Sequence, residues 1–93
     1  MTELQLTRND DLSRYEGRLD GALTSVADFH RVGDVLVVTH TGTEPEFRGR
    51  GLAGELTRLL LDEVRERGLK VDPGCPFTAH YFDTHPEVSD LRA

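Results

Sequence analysis

The sequence predicts an α/β fold, in which a mixed sheet carries one long helix and one short helix near the C-terminal end. Three observations lead to this prediction. Strand patterns separated by turn residues fill the first half, a stripe of leucines at helical spacing follows, and a short apolar segment comes after it. The strand–helix–strand order predicts a right-handed crossover between parallel strands. The sheet should therefore be antiparallel at first and end in a parallel pair.

The first third of the chain is predicted to form an antiparallel meander. Glu3–Arg8 is a short strand candidate. Leu12–Leu19 has a mixed pattern and precedes Asp20-Gly21, a dipeptide that strongly favours hairpin turns. Ala22–Arg31 alternates between apolar and polar residues, as a half-buried strand does. Gly33-Asp34 then predicts the turn into the next strand.

The strongest strand pattern opens the rest of the chain. Val35–Thr39 is rich in β-branched residues, and its continuous apolar character predicts burial on both faces of the sheet. A helix follows and should end at Gly68, because its apolar residues recur at helical spacing: Leu52, Leu56, Leu59, Leu60 and Val64. Leu69–Val71 is a short strand candidate, and a second helix is expected from Pro76 to about Phe82.

Composition excludes several classes of protein. The 93 residues suffice for one domain, residues 1–93, and are too few for two cores. The net charge of −6 argues against a broad basic surface for nucleic acid. Cys75 is the one cysteine, so no internal disulfide framework is expected. Met1–Asp11 has no apolar signal segment, and no apolar run is long enough to span a membrane, so the expected location is the cytoplasm.

The most informative segment lies where the long helix must begin. Gly49, Gly51 and Gly54 lack a Cβ atom, so the backbone N–H groups there can approach a ligand closely. The first amides of a helix have no partner within the helix, and the helix dipole favours negative charge at that end. Arg48 and Arg50 add charge-assisted donors. The segment therefore predicts a site for the diphosphate of a nucleotide-type cofactor.

Two other phosphate motifs fit this segment poorly. The spacing G-x-G-x-x-G matches a dinucleotide fingerprint, and Asp72 follows at a suitable distance. In that fold, however, the first glycine comes directly after the strand, whereas here Glu44–Arg48 intervenes. A P-loop requires a lysine directly after its last glycine, and Glu55 stands there instead.

The segment instead resembles the signature of the GCN5-related N-acetyltransferases, Arg/Gln-x-x-Gly-x-Gly/Ala. Arg48, Gly51 and Ala53 occupy its fixed positions, after a strand and at a helix start, as in the family. The similarity extends from about Glu16 to Leu91. Three further features are similar to the family's small single-domain members: His40-Thr41, Cys75-Pro76-Phe77 and His85-Pro86-Glu87. The resemblance implies a minimal mixed sheet whose parallel strands splay apart.

The resemblance also implies acetyl-CoA as the cofactor and a primary amine of unknown identity as the acceptor. The pantetheine arm would lie between the splayed strands and bond to backbone groups near Thr41 and Thr43. The residues expected around the diphosphate are Arg48, Gly49, Arg50, Gly51, Ala53 and Gly54. A second copy of the chain could cover the free edge of so small a sheet.

Three residues are candidates for the chemistry. Cys75 precedes Pro76 at a predicted helix start, where the pKa of a thiol falls and its nucleophilicity rises, although a small buried side chain is the alternative. His40 ends the central strand and could accept the proton of the amine, with a hydrogen-bonded structural histidine as the alternative. The resemblance places Tyr81 where relatives carry a tyrosine that protonates the leaving thiolate, and a packing role is the alternative. Glu44 is a weaker candidate base.

Other interpretations remain open from the sequence. A chain that binds acyl-CoA without catalysis would need the same diphosphate loop, and a dinucleotide-binding fragment would share its glycines. His80 and His85 are spaced by five residues and share no helix face, so no metal site is expected.

Overall fold

The computed structural model describes residues 3–93 and contains a mixed five-stranded sheet. The strands are β1 (Gln5–Asn9), β2 (Arg14–Leu19), β3 (Ala22–Val32), β4 (Val35–Thr43) and β5 (Lys70–Pro73). They lie side by side in chain order, with antiparallel pairing from β1 to β4 and parallel pairing between β4 and β5. The predicted α/β fold with an antiparallel meander and one parallel pair is confirmed.

Two helices pack against this sheet. Helix α1 (Leu52–Glu66) is the crossover between β4 and β5, and helix α2 (Pro76–Thr84) follows β5. Short 3₁₀ turns at Pro45–Phe47 and Pro86–Leu91 complete the fold. Within the described residues, no helix is long and apolar enough to span a membrane.

One apolar core joins the helices to a single face of the sheet. The sheet contributes Tyr15, Ala27, Leu36, Val38 and Val71, and α1 contributes Leu56, Leu60, Leu61 and Val64. The predicted helical stripe is thus nearly correct, except that Leu61 is buried and Leu59 is half-exposed. That difference arises because α1 turns its Leu60–Leu61 side toward the sheet and leaves Leu59 near its edge.

Strand β4 departs from the prediction in two ways. Burial on both faces is wrong: Leu36 and Val38 are 1% exposed, whereas Val35 and Val37 are half-buried. The physical reason is that both helices cover the same face of the sheet. The strand also runs past its predicted end at Thr39 as far as Thr43, because pairing with β3 continues to that point.

A register shift in β4 decides which residues face the helices. Val38 pairs with Phe29 and His40 pairs with Asp28, which leaves Thr39 as an extra residue in the strand. Alternation then resumes, so that Thr41 faces the helices as Val38 does, and His40 faces the uncovered side. Without the extra residue, His40 and not Thr41 would face the helices.

Candidate functional site

A cleft of about 550 Å³, here called the strand slot, opens where β4 continues beyond the end of β5. The pairing of β5 with β4 stops at Val38, so no strand of the described chain covers that edge from Thr39 to Thr43. Gly74 lies at the point of separation, where a Cβ atom would be 3.1 Å from the Val38 carbonyl oxygen. The slot is lined by Thr41, Gly42, Thr43, Arg48, Ala53 and Phe77, among others.

The predicted phosphate loop forms one end of this slot. Gly49 and Gly51 have φ angles of 80° and 72°, in the left-handed region that favours glycine. Cβ atoms at Gly49, Gly51 and Gly54 would meet no atom within 4 Å, so the space beside the loop is open. The arginines of the loop, Arg48 and Arg50, are exposed, and neither forms an ion pair within residues 3–93.

The start of α1 has unsatisfied donors. Gly51 is the N-cap residue, and no side chain caps the helix. The first intrahelical bond joins the Glu55 N–H to the Gly51 carbonyl oxygen at 3.1 Å, so the amides from Gly49 to Gly54 are free to bind a ligand. The Arg48 N–H, by contrast, bonds to the Pro45 carbonyl oxygen at 3.4 Å. The helix dipole and the two unpaired arginines give this end a positive potential although the chain is acidic.

Cys75 is the N-cap residue of α2, buried in the core at 6% exposure beside Thr41, which lines the slot. Burial alone would raise the pKa of its thiol, but the backbone N–H groups of Thr78 and Phe77, with Thr41, outweigh burial and hold the pKa below its usual value. The hydroxyls of Thr41 and Thr78 are 3.4 Å apart. The structure therefore brings Cys75 and Thr41 together and adds Thr78, which sequence reasoning missed although it stands three residues into the helix start.

His40 reaches the same slot from the opposite face. Its Nε2 atom lies over Gly42, where a Cβ atom would be 3.1 Å away. The side chain is exposed, and its register neighbour on β3 is Asp28. The β4 backbone thus separates His40 from Cys75. Glu44 also lines the slot with an exposed side chain, while its backbone N–H bonds to the Thr24 carbonyl oxygen at 2.8 Å.

Tyr81 lies in a second cleft, of about 440 Å³, between α1 and α2, here called the helix cleft. Its ring stacks on His85 with 3.8 Å between ring centroids and an interplanar angle of 6°. Desolvation and the negative charge of Glu87 raise the pKa of the Tyr81 phenol. Tyr81 therefore lines the helix cleft and not the strand slot, which Thr41 lines. Within residues 3–93, no group of three His, Cys, Asp or Glu side chains could hold a metal ion.

Comparison with models of protein families shows to which family the chain belongs. The family model described as GCN5-related N-acetyl-transferase matches residues 14–91. The chain belongs to this family. The resemblance drawn from the loop and its flanking motifs is confirmed, and family membership makes the protein an N-acetyltransferase.

Solved structures support the same fold. A GCN5-like protein from Staphylococcus aureus is 19% identical with a TM-score of 0.74, and the match covers 100% of this chain and 91% of that one. The ribosomal-protein-S18-alanine N-acetyltransferase from Escherichia coli is 14% identical with a TM-score of 0.65, over 90% of this chain and 76% of that one. At such identities the likeness shows the fold alone. The comparison with curated proteins found no match.

Proposed function

We propose that the protein transfers an acetyl group from acetyl-CoA to a primary amine. The single observation that carries this proposal is the open edge of β4, which leads directly to the uncapped, glycine-rich start of α1. The open edge offers backbone groups to an extended arm, and the helix start offers donors to a diphosphate. The arm and the diphosphate are joined in the same order in CoA. Membership of the family supports the reaction type, and this geometry supports acetyl-CoA as the donor.

The pantetheine arm would pair with β4 in place of a strand. Thr41 and Thr43 lie opposite Ala27 and Ser25 of β3, and no strand within residues 3–93 lies on their other side. Because the Glu44 N–H bonds to the Thr24 carbonyl oxygen, the alternation of an antiparallel pair turns the N–H and C=O groups of Thr41 and Thr43 toward that open side. Backbone N–H and C=O groups are strong donors and acceptors, and leaving them without partners is unfavourable. An arm that contains amides satisfies these groups as a further strand would.

The diphosphate would lie against the amides from Gly49 to Gly54, and Arg48, whose own N–H bonds to the Pro45 carbonyl oxygen, would contribute its side chain. The negative charge of the diphosphate favours the N-terminal end of a helix, and Arg48 and Arg50 are not neutralised by acidic partners. The open space beside Gly49 and Gly51 would accommodate the phosphate oxygens.

Cys75 and His40 lie on opposite faces of β4, and each supports a different route for the transfer. In the first, the Cys75 thiolate attacks the thioester carbonyl carbon, CoA leaves as a thiolate, and the amine then takes the acetyl group from Cys75. In the second, the amine attacks the thioester directly, His40 accepts its proton, and the CoA thiolate is protonated. The lowered pKa of Cys75 supports the first route, and the exposed position of His40 supports the second.

Tyr81 has a different environment from the one that the resemblance implies. A proton donor to the leaving thiolate must contact the sulfur, and the Tyr81 ring lies in the helix cleft rather than the strand slot. We therefore propose a binding role for Tyr81 and leave protonation of the thiolate to solvent or His40.

Mass spectrometry after incubation with acetyl-CoA tests the proposal. Acetylation of wild-type protein at Cys75, absent in Cys75→Ala, establishes the covalent route. Release of free CoA with an amine, without a label and retained in Cys75→Ala, establishes direct transfer, and His40→Ala should then lower the rate at neutral pH. Binding of CoA with neither label nor release across a panel of amines contradicts the transferase proposal and fits a chain that only binds acyl-CoA.

A further inference from the structure

One carboxylate lies beside His40 on the uncovered face of the sheet and has no role in the proposed reaction. Asp28 of β3 is the register partner of His40 on β4, so the two side chains project from the same face as neighbours. Val26, two residues before Asp28, faces the same side and lines the strand slot together with His40. Asp28 therefore borders the space from which an acceptor would reach His40.

No cation neutralises Asp28 within residues 3–93. Its register partner on β2 is Arg14, but Arg14 and Arg18 both bond to the Glu16 carboxylate, at 2.8 and 2.9 Å. Asp28 is half-buried and forms no ion pair with another described residue. Aspartate is disfavoured within strands, and a partly desolvated charge without a counter-ion is unfavourable. The arrangement is explained if a cationic ligand supplies the missing charge.

The ring of His40 points along β4, away from Asp28. Its Nε2 atom would lie 3.1 Å from a Cβ atom at Gly42, two residues further along the strand. Gly42 pairs with Val26 and is a diagonal neighbour of Asp28, and diagonal neighbours in an antiparallel pair are about 7–8 Å apart. The Asp28 carboxylate and the Nε2 atom therefore lie toward opposite ends of the His40 side chain.

The chemistry of the transfer also separates these two groups. The reacting nitrogen must lose a proton, and a carboxylate bonded to it would favour the charged form and oppose that loss. A carboxylate that binds a second charged group of the acceptor would orient the acceptor without this cost. Asp28 and the His40 Nε2 atom are therefore suited to two different nitrogen atoms of one acceptor, joined by a short chain.

The other charges at the strand slot agree with a cationic acceptor. Glu44 lines the slot beyond Gly42 and is exposed. Arg48, also in the lining, belongs to the diphosphate loop, where the proposed cofactor would compensate its charge. Of the two carboxylates, Asp28 is the less exposed, and a charge interaction is stronger where less water screens it. Asp28 is therefore the residue expected to select the acceptor.

We propose that the acceptor is a primary amine with a second positive charge, which Asp28 binds while the reacting nitrogen lies at His40. This inference rests on the proposed function and on its direct route, in which the amine attacks the thioester. The distal ammonium group donates to the Asp28 carboxylate and keeps its proton. The proximal nitrogen forms the new bond to the acetyl carbon, its proton passes to His40, and CoA leaves as the thiolate.

Steady-state kinetics with two acceptors tests this proposal. 1,4-Diaminobutane carries two amines, and butylamine carries one on the same carbon chain. Wild-type protein should have the lower KM for the diamine. Asp28→Asn keeps the shape of the side chain and removes its charge. It should raise the KM for the diamine about tenfold, as loss of a hydrogen bond between charged groups does, and leave kcat for the diamine and the KM for butylamine unchanged. Asp28→Glu should restore part of the preference for the diamine.

Asp72→Asn is the matched control. Asp72 is an exposed aspartate on β5, lies opposite Val37 and forms no ion pair with another described residue. Its loss should change neither KM, and CoA affinity by calorimetry should be equal in all the variants, which shows that they are folded. Equal effects of Asp28→Asn on the two acceptors, or turnover confined to amines without a second charge, overturns the assignment while the proposed function stands. Lack of turnover with any primary amine contradicts the proposed function itself.

Discussion

The two ends of α1 carry the same kind of residue and use it differently. Gly51 precedes the helix and Gly68 follows it, with φ angles of 72° and 69°. After Gly68 the chain closes back on the helix: the Leu69 N–H bonds to the Val64 carbonyl oxygen at 3.0 Å, and the Gly68 N–H bonds to the Arg65 carbonyl oxygen at 3.2 Å. At Gly51 no side chain caps the helix.

Side-chain interactions differ between the two ends of α1 in the same way. At the C-terminal end, Arg67 donates a hydrogen bond to the Tyr15 hydroxyl at 3.1 Å, and the Glu63 carboxylate lies 3.7 Å from both Arg8 and Arg67. At the N-terminal end, the loop arginines have no acidic partner within residues 3–93. The C-terminal end thus has partners for its backbone and charges within the protein, although the buried Glu63 Oε2 atom has only the two arginines at 3.7 Å and no hydrogen bond among the described residues. That end serves the fold, and the N-terminal end, whose groups are left free, serves a ligand.

Substitution of valine for Gly51 and for Gly68 should show most clearly that one helix end serves a ligand and the other serves the fold. Gly51→Val should weaken CoA binding at least 100-fold, because a branched side chain would occupy the space of the diphosphate and strain a left-handed residue. Gly68→Val imposes the same strain, of about 1–2 kcal/mol, at the other end. It should lower the melting temperature and leave CoA affinity unchanged. Calorimetry and thermal unfolding of both variants provide the measurement, and comparable CoA affinities in the two would remove the contrast.

Tyr15→Phe should lower stability and not binding. The ring is fully buried, and loss of the hydroxyl removes its bond from Arg67, which should cost about 1 kcal/mol at pH 7. Desolvation, with the neighbouring Glu63, raises the pKa of Tyr15 above its unfolded value of about 10. Between those two pKa values the unfolded chain loses the proton and the folded chain keeps it, so the contribution is present below about pH 10 and is lost as pH rises further.

Urea unfolding at pH 7 and above pH 10 measures this effect. The difference in unfolding free energy between wild type and Tyr15→Phe should shrink at the higher pH, and CoA affinity at pH 7 should be equal in the two proteins. A difference that grows with pH would contradict the assigned pKa direction.

Removal of single arginines should have the smallest effects. Arg65 and Asp90 form a two-point ion pair with distances of 2.7 and 3.1 Å, but both side chains are half-exposed. Arg65→Ala should therefore lower the melting temperature only slightly, less at high salt, and leave CoA affinity intact. Arg48→Ala at the other end should leave the melting temperature nearly unchanged and weaken CoA a few fold. A reversal of these two results would refute the division between the helix ends.

Local patterns in the sequence sufficed for the order of elements, the start and end of α1, and the family. They did not suffice to predict the burial of β4, because a run of β-branched residues has the same pattern whether helices cover one face of a sheet or both. The extra residue at Thr39 depends on pairing with β3, so no local signal showed that Thr41, and not His40, would face the helices. The contact of Cys75 with Thr41 and Thr78 likewise depends on how α2 docks beside the open strand.

The central claim is that a CoA diphosphate binds the N-terminal end of α1. Amide chemical shifts of ¹⁵N-labelled protein during titration with CoA test it most directly, with NADH as the control ligand. The account predicts that the largest CoA-induced shifts fall on Arg48–Gly54 and on Thr41–Thr43, that Glu63–Gly68 stays unshifted, and that NADH causes no comparable change. Shifts centred on the C-terminal end of α1, or a response to NADH and not to CoA, would contradict it.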